Sequence, residues 1–252
     1  VVLCIGTRAN IGLVDGGIET NRAILVNERM ETSDPDIYAV GDAVQVRHFV
    51  SGADSLIALA GPANKQGRIA ADNICGRDSR FDGSQGSSII RLFDMTAAST
   101  GLNEKAATAA GIPWEAVVTY SASHAAYYPG ATDMTVKTLY NPENGRILGA
   151  QIVGFDGVDK RIDVLATAIR AGMTGEDLEE LDLAYAPPYS SAKDPVNMAG
   201  FVIGNIRSGL LKQFNWKDLE ELQKQRGEGK ITLLDTRTER EYAQGHFQGS
   251  VN

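Results

Sequence analysis

Two groups of residues have types and spacing suited to chemistry. The first is Ile37-Tyr38-Ala39-Val40, a short apolar run that ends in Gly41-Asp42. It predicts a strand closed by a glycine, where the backbone can come close to a ligand. An aspartate at the carboxyl end of such a strand sits where open α/β sheets bind ligands, and its carboxylate accepts hydrogen bonds from sugar-like hydroxyls. A plain Gly-Asp turn after a strand is the structural alternative. The second group is a pair of tyrosine-rich turns, His124-Ala125-Ala126-Tyr127-Tyr128-Pro129-Gly130 and Tyr185-Ala186-Pro187-Pro188-Tyr189-Ser190. A tyrosine hydroxyl donates and accepts at a pKa of about 10. Beside a thiolate it stabilises charge or protonates a departing sulfur. Amphipathic tyrosines packed at an interface are the alternative.

The elements that must hold these residues follow from pattern. Val1 to Ile5 and Ile24 to Val26 read as short buried strands. The alanine-rich stretch from Leu56 reads as helix up to Cys75-Gly76, with Gly61-Pro62 marking a break or a fresh start. A helix amino terminus there points backbone N–H groups at a ligand, although an ordinary interdomain helix has the same pattern. A polar, Gly/Ser-rich linker spans Arg77 to Ser88. Ile89 to Gly101 reads as a strand leading into a turn. Asn103 caps a helix over Glu104 to Ala110. Strands are expected at Glu115 to Ser121, Met134 to Tyr140 and Ile147 to Gly154, the last two joined around Asn144-Gly145. Helices follow over Lys160 to Ala171, after Thr174, and from Asp194-Pro195 to Ile206. An antiparallel sheet of three to five strands with helices on one side fits this order. Trp216 to Gln225 reads as helix and Ile231 to Leu234 as a short strand.

The 252 residues are 43% hydrophobic and 22% charged, ordinary globular composition. A net charge of −8 without long single-sign runs argues against general nucleic-acid binding. No apolar stretch approaches the ~18–20 residues of a membrane span. Cys4 and Cys75 do not make a disulfide framework and read as packed or incidental thiols. No metal site is expected.

Thr32-Ser33-x-Pro35-x-Ile37-Tyr38-Ala39-x-Gly41-Asp42 resembles the second flavin-binding signature of the FAD-dependent pyridine nucleotide–disulfide oxidoreductases. The resemblance implies that Asp42, with Gly41, holds the ribityl chain of FAD. The string from Ala63-Asn64-x-Gln66-Gly67-Arg68 to Asn73-Ile74 resembles the same family, in which this segment, Ala60 and Ala63 included, lies beside the isoalloxazine ring. Neither of the family's Gly-x-Gly-x-x-Gly fingerprints is present, and the chain opens inside an apolar run. It therefore reads as the carboxyl-terminal part of a longer flavoprotein.

Tyr127-Tyr128-Pro129-Gly130 and Tyr185-Ala186-Pro187-Pro188-Tyr189-Ser190 resemble the dimerisation domain of coenzyme A-disulfide reductases and related NADH oxidases and persulfide reductases. In that subfamily one tyrosine from each region reaches the partner subunit's active site, near a single redox cysteine that alternates with a coenzyme A mixed disulfide. Tyr127 and Tyr185 are the first candidates, Tyr128 and Tyr189 the second. The His and Glu of glutathione-reductase-type members are missing from the comparable stretch, which disfavours a dithiol, His-assisted mechanism. Leu233-Leu234-Asp235-x-Arg237, followed by Glu241-Tyr242-x-x-Gly245-His246-Phe247, resembles the opening of a rhodanese domain, with His246 structural. An Asp-capped helix after a strand is the alternative there.

Together these resemblances imply an α/β tail of an FAD-binding Rossmann-like domain (1–83), then an α+β dimerisation domain with an antiparallel sheet (84–210), then the start of an α/β rhodanese-like domain (211–252). They imply a cytoplasmic homodimeric enzyme with FAD, NAD(P)H and coenzyme A as its small-molecule partners and no membrane. The expected reaction is reduction of coenzyme A disulfide, coenzyme A persulfide or polysulfide. An NADH oxidase acting on oxygen and a non-catalytic dimerisation module are the competing readings.

Overall fold

The computed structural model describes residues 6, 8–14, 16–215 and 218–252. The strand expected over Val1 to Ile5, with Cys4, lies outside these residues, as does Trp216. The chain divides into two compact units, Val1–Arg207 and Ser208–Asn252.

The first unit opens with a small sheet. Strands β1 (Ile24–Leu25) and β2 (Val44–Arg47) pair in parallel, and β3 (Asp54–Ser55) runs antiparallel to β2. Helix α1 (Ala60–Ile74) follows. Buried Ile24, Met30, Val44, Val46, Ala70 and Phe81 form a core here. One expectation is corrected and one open alternative is settled. Ile37 to Val40 is not a strand. Tyr38 makes one isolated bridge with Glu31, and the Ile37 and Ala39 backbone bonds close locally on Thr32, Asp34 and Met30. The Asp34-Pro35 turn folds the run back on itself, so its polar groups are satisfied without a sheet. Gly41-Asp42 therefore lies in a 3-10 turn, Gly41–Ala43, just before a strand rather than after one. Secondly, Leu56 to Leu59 lies outside the helix, which starts at Ala60 with Pro62 in its first turn, the fresh start that Gly61-Pro62 offered as an alternative.

Strands β4 (Ser88–Leu92), β5 (Met95–Gly101), β6 (Glu115–Ala122), β7 (Asp133–Tyr140) and β8 (Ile147–Gly154) form one fully antiparallel sheet in the order β4-β5-β8-β7-β6. The single strand expected over Ile89 to Gly101 is thus a hairpin. Phe93 sits at its tip with φ 55°, a conformation no Gly or Asn announces in the sequence. Helix α2 (Glu104–Ala109) is capped as expected, the Asn103 side chain accepting from the Ala106 N–H.

Helices α3 (Val158–Ala171), α4 (Gly175–Glu180) and α5 (Pro195–Arg207) follow. Val158, Ile162, Leu165 and Ile169 recur at helical spacing along α3. They pack with Ile203 and Val196 of α5 on Val117, Val136, Ala150 and Ile152 of the sheet. Leu102, Ala107, Leu139 and Leu148 form a second, smaller core with α2. Among the described residues no helix is long and apolar enough to cross a membrane.

The second unit holds α6 (Leu219–Gly227) and α7 (Glu239–Gln244). The strand expected at Ile231 to Leu234 reduces to one parallel bridge, Leu234 with Val251. Arg237 forks onto the Asp235 carboxylate at 2.7 and 2.9 Å and donates to the Gly245 carbonyl. The hydrogen bond from Arg237 holds the Asp235 carboxyl down at about 2. His246 stacks on Tyr242 and bonds its carbonyl, a bracing role.

Gly149 marks the tightest approach in the large sheet. A Cβ there would stand 1.9 Å from the Leu102 carbonyl oxygen, which is backbone and cannot yield cheaply. Gly149→Ala is expected to lower stability by about 1–3 kcal/mol, read as a lower urea midpoint at unchanged m-value.

Candidate functional site

Two places collect the residues singled out by the sequence. At the first, Gly41 adopts φ 86° and its N–H donates to the Gln66 side chain at 2.7 Å. Gln66 is buried on α1, so this bond pins the 3-10 turn against the helix. Asp42 is exposed, and its carboxylate has no hydrogen bond or ion pair among the described residues. A Cβ added at Gly41 would meet no atom within 4 Å, so the backbone there is open to close approach. Ala60 and Ala63 lie in the first turn of α1, whose amino terminus has no side-chain cap. Pro62 carries no N–H and the Ala63 N–H donates to the Leu59 carbonyl, so the N–H groups of Ala60 and Gly61 are those without an acceptor among the described residues.

The second place is built by two loops. Residues 123–132 join β6 to β7 and carry Tyr127 and Tyr128. Residues 181–194 join α4 to α5 and carry Tyr185 and Tyr189. Neither loop is part of a ladder, yet they are clasped together. The Ala125 N–H donates to the carbonyls of Ser190 (3.0 Å) and Pro187 (3.3 Å). The clasp brings the hydroxyls of Tyr127 and Tyr185 to 3.3 Å, across 58 residues of sequence. Both rings remain open to solvent, 77% and 47% exposed. The hydrogen bond with Tyr127 is the main reason the Tyr185 hydroxyl titrates above its ordinary value. Tyr128 and Tyr189 are exposed elsewhere on the same loops. Tyr128 packs its ring edge-on to His124 at 5.8 Å.

His124 is buried beneath the first loop. Its Nδ1 lies 3.0 Å from the Ser123 hydroxyl and its Nε2 3.3 Å from the Pro129 carbonyl. Both ring nitrogens are engaged in holding the turn. Cys75 caps the far end of α1 and is exposed, so of the two expected alternatives, packed or incidental, it is not the packed one. Among the described residues no group of three or more His, Cys, Asp or Glu could hold a metal ion.

The residues that sequence reasoning missed lie underneath. Arg161, on α3, is only 1% exposed. Its Nε and Nη2 donate to the Asp194 carboxylate at 3.1 and 3.0 Å. Nη2 also reaches the carbonyls of Ser123 (2.9 Å) and Tyr189 (3.3 Å) and the Ser190 hydroxyl (3.2 Å). Asp194 accepts further bonds from the Ser190 hydroxyl and the Val196 N–H. Burial alone would raise the Asp194 pKa. The Val196 N–H, Ser190 and Arg161 outweigh it and hold the carboxyl below its ordinary value. The only signal in sequence was Asp194-Pro195 as a helix start. Arg161 follows Asp159-Lys160 and looks like part of a solvated charge run.

Residues 88–195 match the family described as pyridine nucleotide-disulphide oxidoreductase, dimerisation domain. Residues 1–67 match pyridine nucleotide-disulphide oxidoreductase, and residues 218–252 match the rhodanese-like domain. The chain belongs to the pyridine nucleotide-disulphide oxidoreductases. Within that family, an NADH oxidase of Methanocaldococcus jannaschii and a coenzyme A disulfide reductase of Staphylococcus aureus are each 36% identical to it over 201 residues. Those alignments cover 79% and 78% of this chain and 45% of either relative. The crystal structure of reduced CoADR-RHD from Bacillus anthracis is 46% identical, with a TM-score of 0.92 over 99% of this chain and 45% of that one. The chain thus spans less than half the length of the relatives it matches. As a pyridine nucleotide-disulphide oxidoreductase it has a dimerisation region that contains both tyrosine loops.

Tyr127→Phe removes the hydroxyl and keeps the ring. The partner of the Tyr185 hydroxyl is lost, so Tyr185 is expected to titrate lower, nearer the ordinary 10.0. The tyrosine Cζ resonances followed by NMR against pH check this, with Tyr185→Phe assigning the signal.

Proposed function

We propose that this chain is the flavin-flanking and interface part of an NAD(P)H-dependent flavoprotein that reduces coenzyme A disulfide, coenzyme A persulfide or polysulfide. The observation that carries the reading is the approach of the Tyr127 and Tyr185 hydroxyls on an exposed surface, inside a dimerisation region. For a disulfide the balance is simple. NAD(P)H and one proton supply two electrons and two hydrogens, and the S–S bond leaves as two thiols.

The residues of the Gly41 turn fit FAD. An exposed carboxylate without a partner suits polyol hydroxyls. The open backbone at Gly41 and the small side chains of Ala60 and Ala63 leave room beside them. When bound, FAD carries the two electrons from nicotinamide to sulfur. Asp42 and the α1 amino terminus bind and orient it. The two tyrosines act across a homodimer on a redox cysteine of the partner subunit, donating a proton to a departing thiolate or fixing the sulfur substrate. The exposed apolar side chains of Ile89, Ile90, Leu92, Phe93 and Phe155 support burial against another protein surface. The rhodanese-like match favours a sulfane-sulfur substrate. The match to an NADH oxidase over a similar stretch makes oxygen the competing electron acceptor.

The test is steady-state NAD(P)H oxidation by the full-length enzyme with coenzyme A disulfide, coenzyme A persulfide or oxygen as acceptor. Faster turnover with a coenzyme A-linked sulfur than with oxygen is expected, and the reverse order overturns the reading. Tyr127→Phe plus Tyr185→Phe should slow sulfur reduction about ten- to a thousandfold, in keeping with the size of general-acid effects. Bleaching of the flavin by NAD(P)H should be little changed. Wild-type sulfur reduction in the double variant would return both tyrosines to a packing role.

A separate expectation concerns Asp42→Ala. A hydrogen bond to a charged acceptor contributes roughly 1.5–3 kcal/mol, so the variant should lose flavin on gel filtration under conditions where the wild type keeps it. The flavin-to-protein absorbance ratio is the readout.

A further inference from the structure

We infer that Arg161 is the positioning residue of the tyrosine pair: paired with Asp194, it fastens the two loops so that the Tyr127 and Tyr185 hydroxyls stay within reach of one another. The inference rests on the proposed role of these tyrosines for its catalytic consequence, but not for its structural one.

The argument starts from what the loops lack. The segments carrying Tyr127 and Tyr185 have no strand partner to fix their register. Among the described residues, the direct hydrogen bonds between them are the Ala125 N–H, shared between Pro187 and Ser190, and the weak bond between the hydroxyls themselves. Arg161 supplies the rest. One guanidinium nitrogen serves the carbonyl of Ser123, at the root of the first loop, and the carbonyl of Tyr189, in the second. Arginine alone suits the task, because its planar fork offers several donors in fixed directions. Nη1 meanwhile bonds the Gly157 carbonyl at the start of α3, tying the fork to its own helix. Asp194 sets the guanidinium plane through two of its N–H groups, and Ser190 bridges both partners.

The site has no other use for so much buried charge. A buried pair is weak evidence for stability, because desolvation offsets its attraction. Its bonds to carbonyls of two separate loops are what a well-packed apolar pair in the same space would lack. Lys160, 3.8 Å from Asp194, is the only other cation at the carboxylate among the described residues and sits at the half-exposed edge.

The experiment uses the flavin-loaded full-length protein with Arg161→Lys. Lysine keeps the buried charge beside Asp194 and gives up the fork. Three results are expected. Tyr185 titrates lower, toward the value it shows in Tyr127→Phe, because its hydroxyl partner has drifted. The kcat for the sulfur substrate falls at least about tenfold, while KM changes much less, the pattern of a lost transition-state contact. Added to the Tyr127→Phe, Tyr185→Phe background, Arg161→Lys costs about twofold or less, because residues acting as one unit are not additive. A folded Arg161→Lys protein with the wild-type Tyr185 titration overturns the inference. If the Tyr→Phe variants leave turnover unchanged, it is the catalytic reading that fails, and the titration still decides the role of Arg161. Should Arg161→Lys not fold, Arg161→Met with Asp194→Leu removes both buried charges and leaves only the half-exposed Lys160 without its carboxylate. If that pair also unfolds the protein, Arg161 is a folding residue and the inference falls.

Discussion

Everything at the tyrosine site depends on one buried ion pair. Taking a guanidinium and a carboxylate out of water costs several kcal/mol for each ion, by the general experience of buried charges. Arg161 and Asp194 meet that cost only because nearly every lone pair and N–H is used: on each other, on Ser190, on the Val196 N–H and on three backbone carbonyls. The carbonyls matter most. Two of them, those of Ser123 and Tyr189, belong to loops that no sheet or helix organises, so the energy of the pair is converted into loop geometry. The apolar core under it, where α3 and α5 meet the sheet, holds the two charged residues at a fixed spacing. Core packing, ion pair, loops and hydroxyls form one chain of dependence, and its weakest link is the 3.3 Å contact at the exposed end.

What periodicity could convey, it conveyed. The apolar spacing of α3, the alternation along β7 and the caps at Asn103 and Thr174 are local properties, and local properties are written in local sequence. The five-stranded sheet was legible as an antiparallel sheet for the same reason. Its hairpin between Leu92 and Met95 was not, because the turn uses Phe93 at positive φ, against side-chain preference. Ile37 to Val40 has the composition of a buried strand but spends its backbone bonds within a tight Asp-Pro turn. Composition records burial tendency and says nothing of which partner a backbone finds.

The site shows the same division. The tyrosine turns and the Gly-Asp pair were visible because their residue types are unusual together. That Tyr127 rather than Tyr128 meets Tyr185 was left as a preference, since adjacent tyrosines differ only in register. Register is set by Arg161, which in sequence is one charge among several on an amphipathic helix. A buried charge cannot be recognised without knowing what lies opposite, and its partner is 33 residues away.

The exposure of the tyrosines completes the argument. Two phenols in water are weak acids with little reason to lie together, and a surface hydrogen bond between them contributes little. The arrangement is held by buried charge beneath and left open to solvent at the hydroxyls. Proton donation from a phenol to a departing thiolate is favoured when water is excluded, because electrostatic interactions strengthen as the local dielectric falls. This surface cannot exclude water by itself. A second protein surface, closing over the loops and the apolar strand edge of Ile89 and Ile90, would do so. Burying the hydroxyls would strengthen the bond between them and make their preset geometry count. Under the proposed function, rigid positioning from beneath and desolvation from above would be two halves of one device, the first of them supplied by the buried pair.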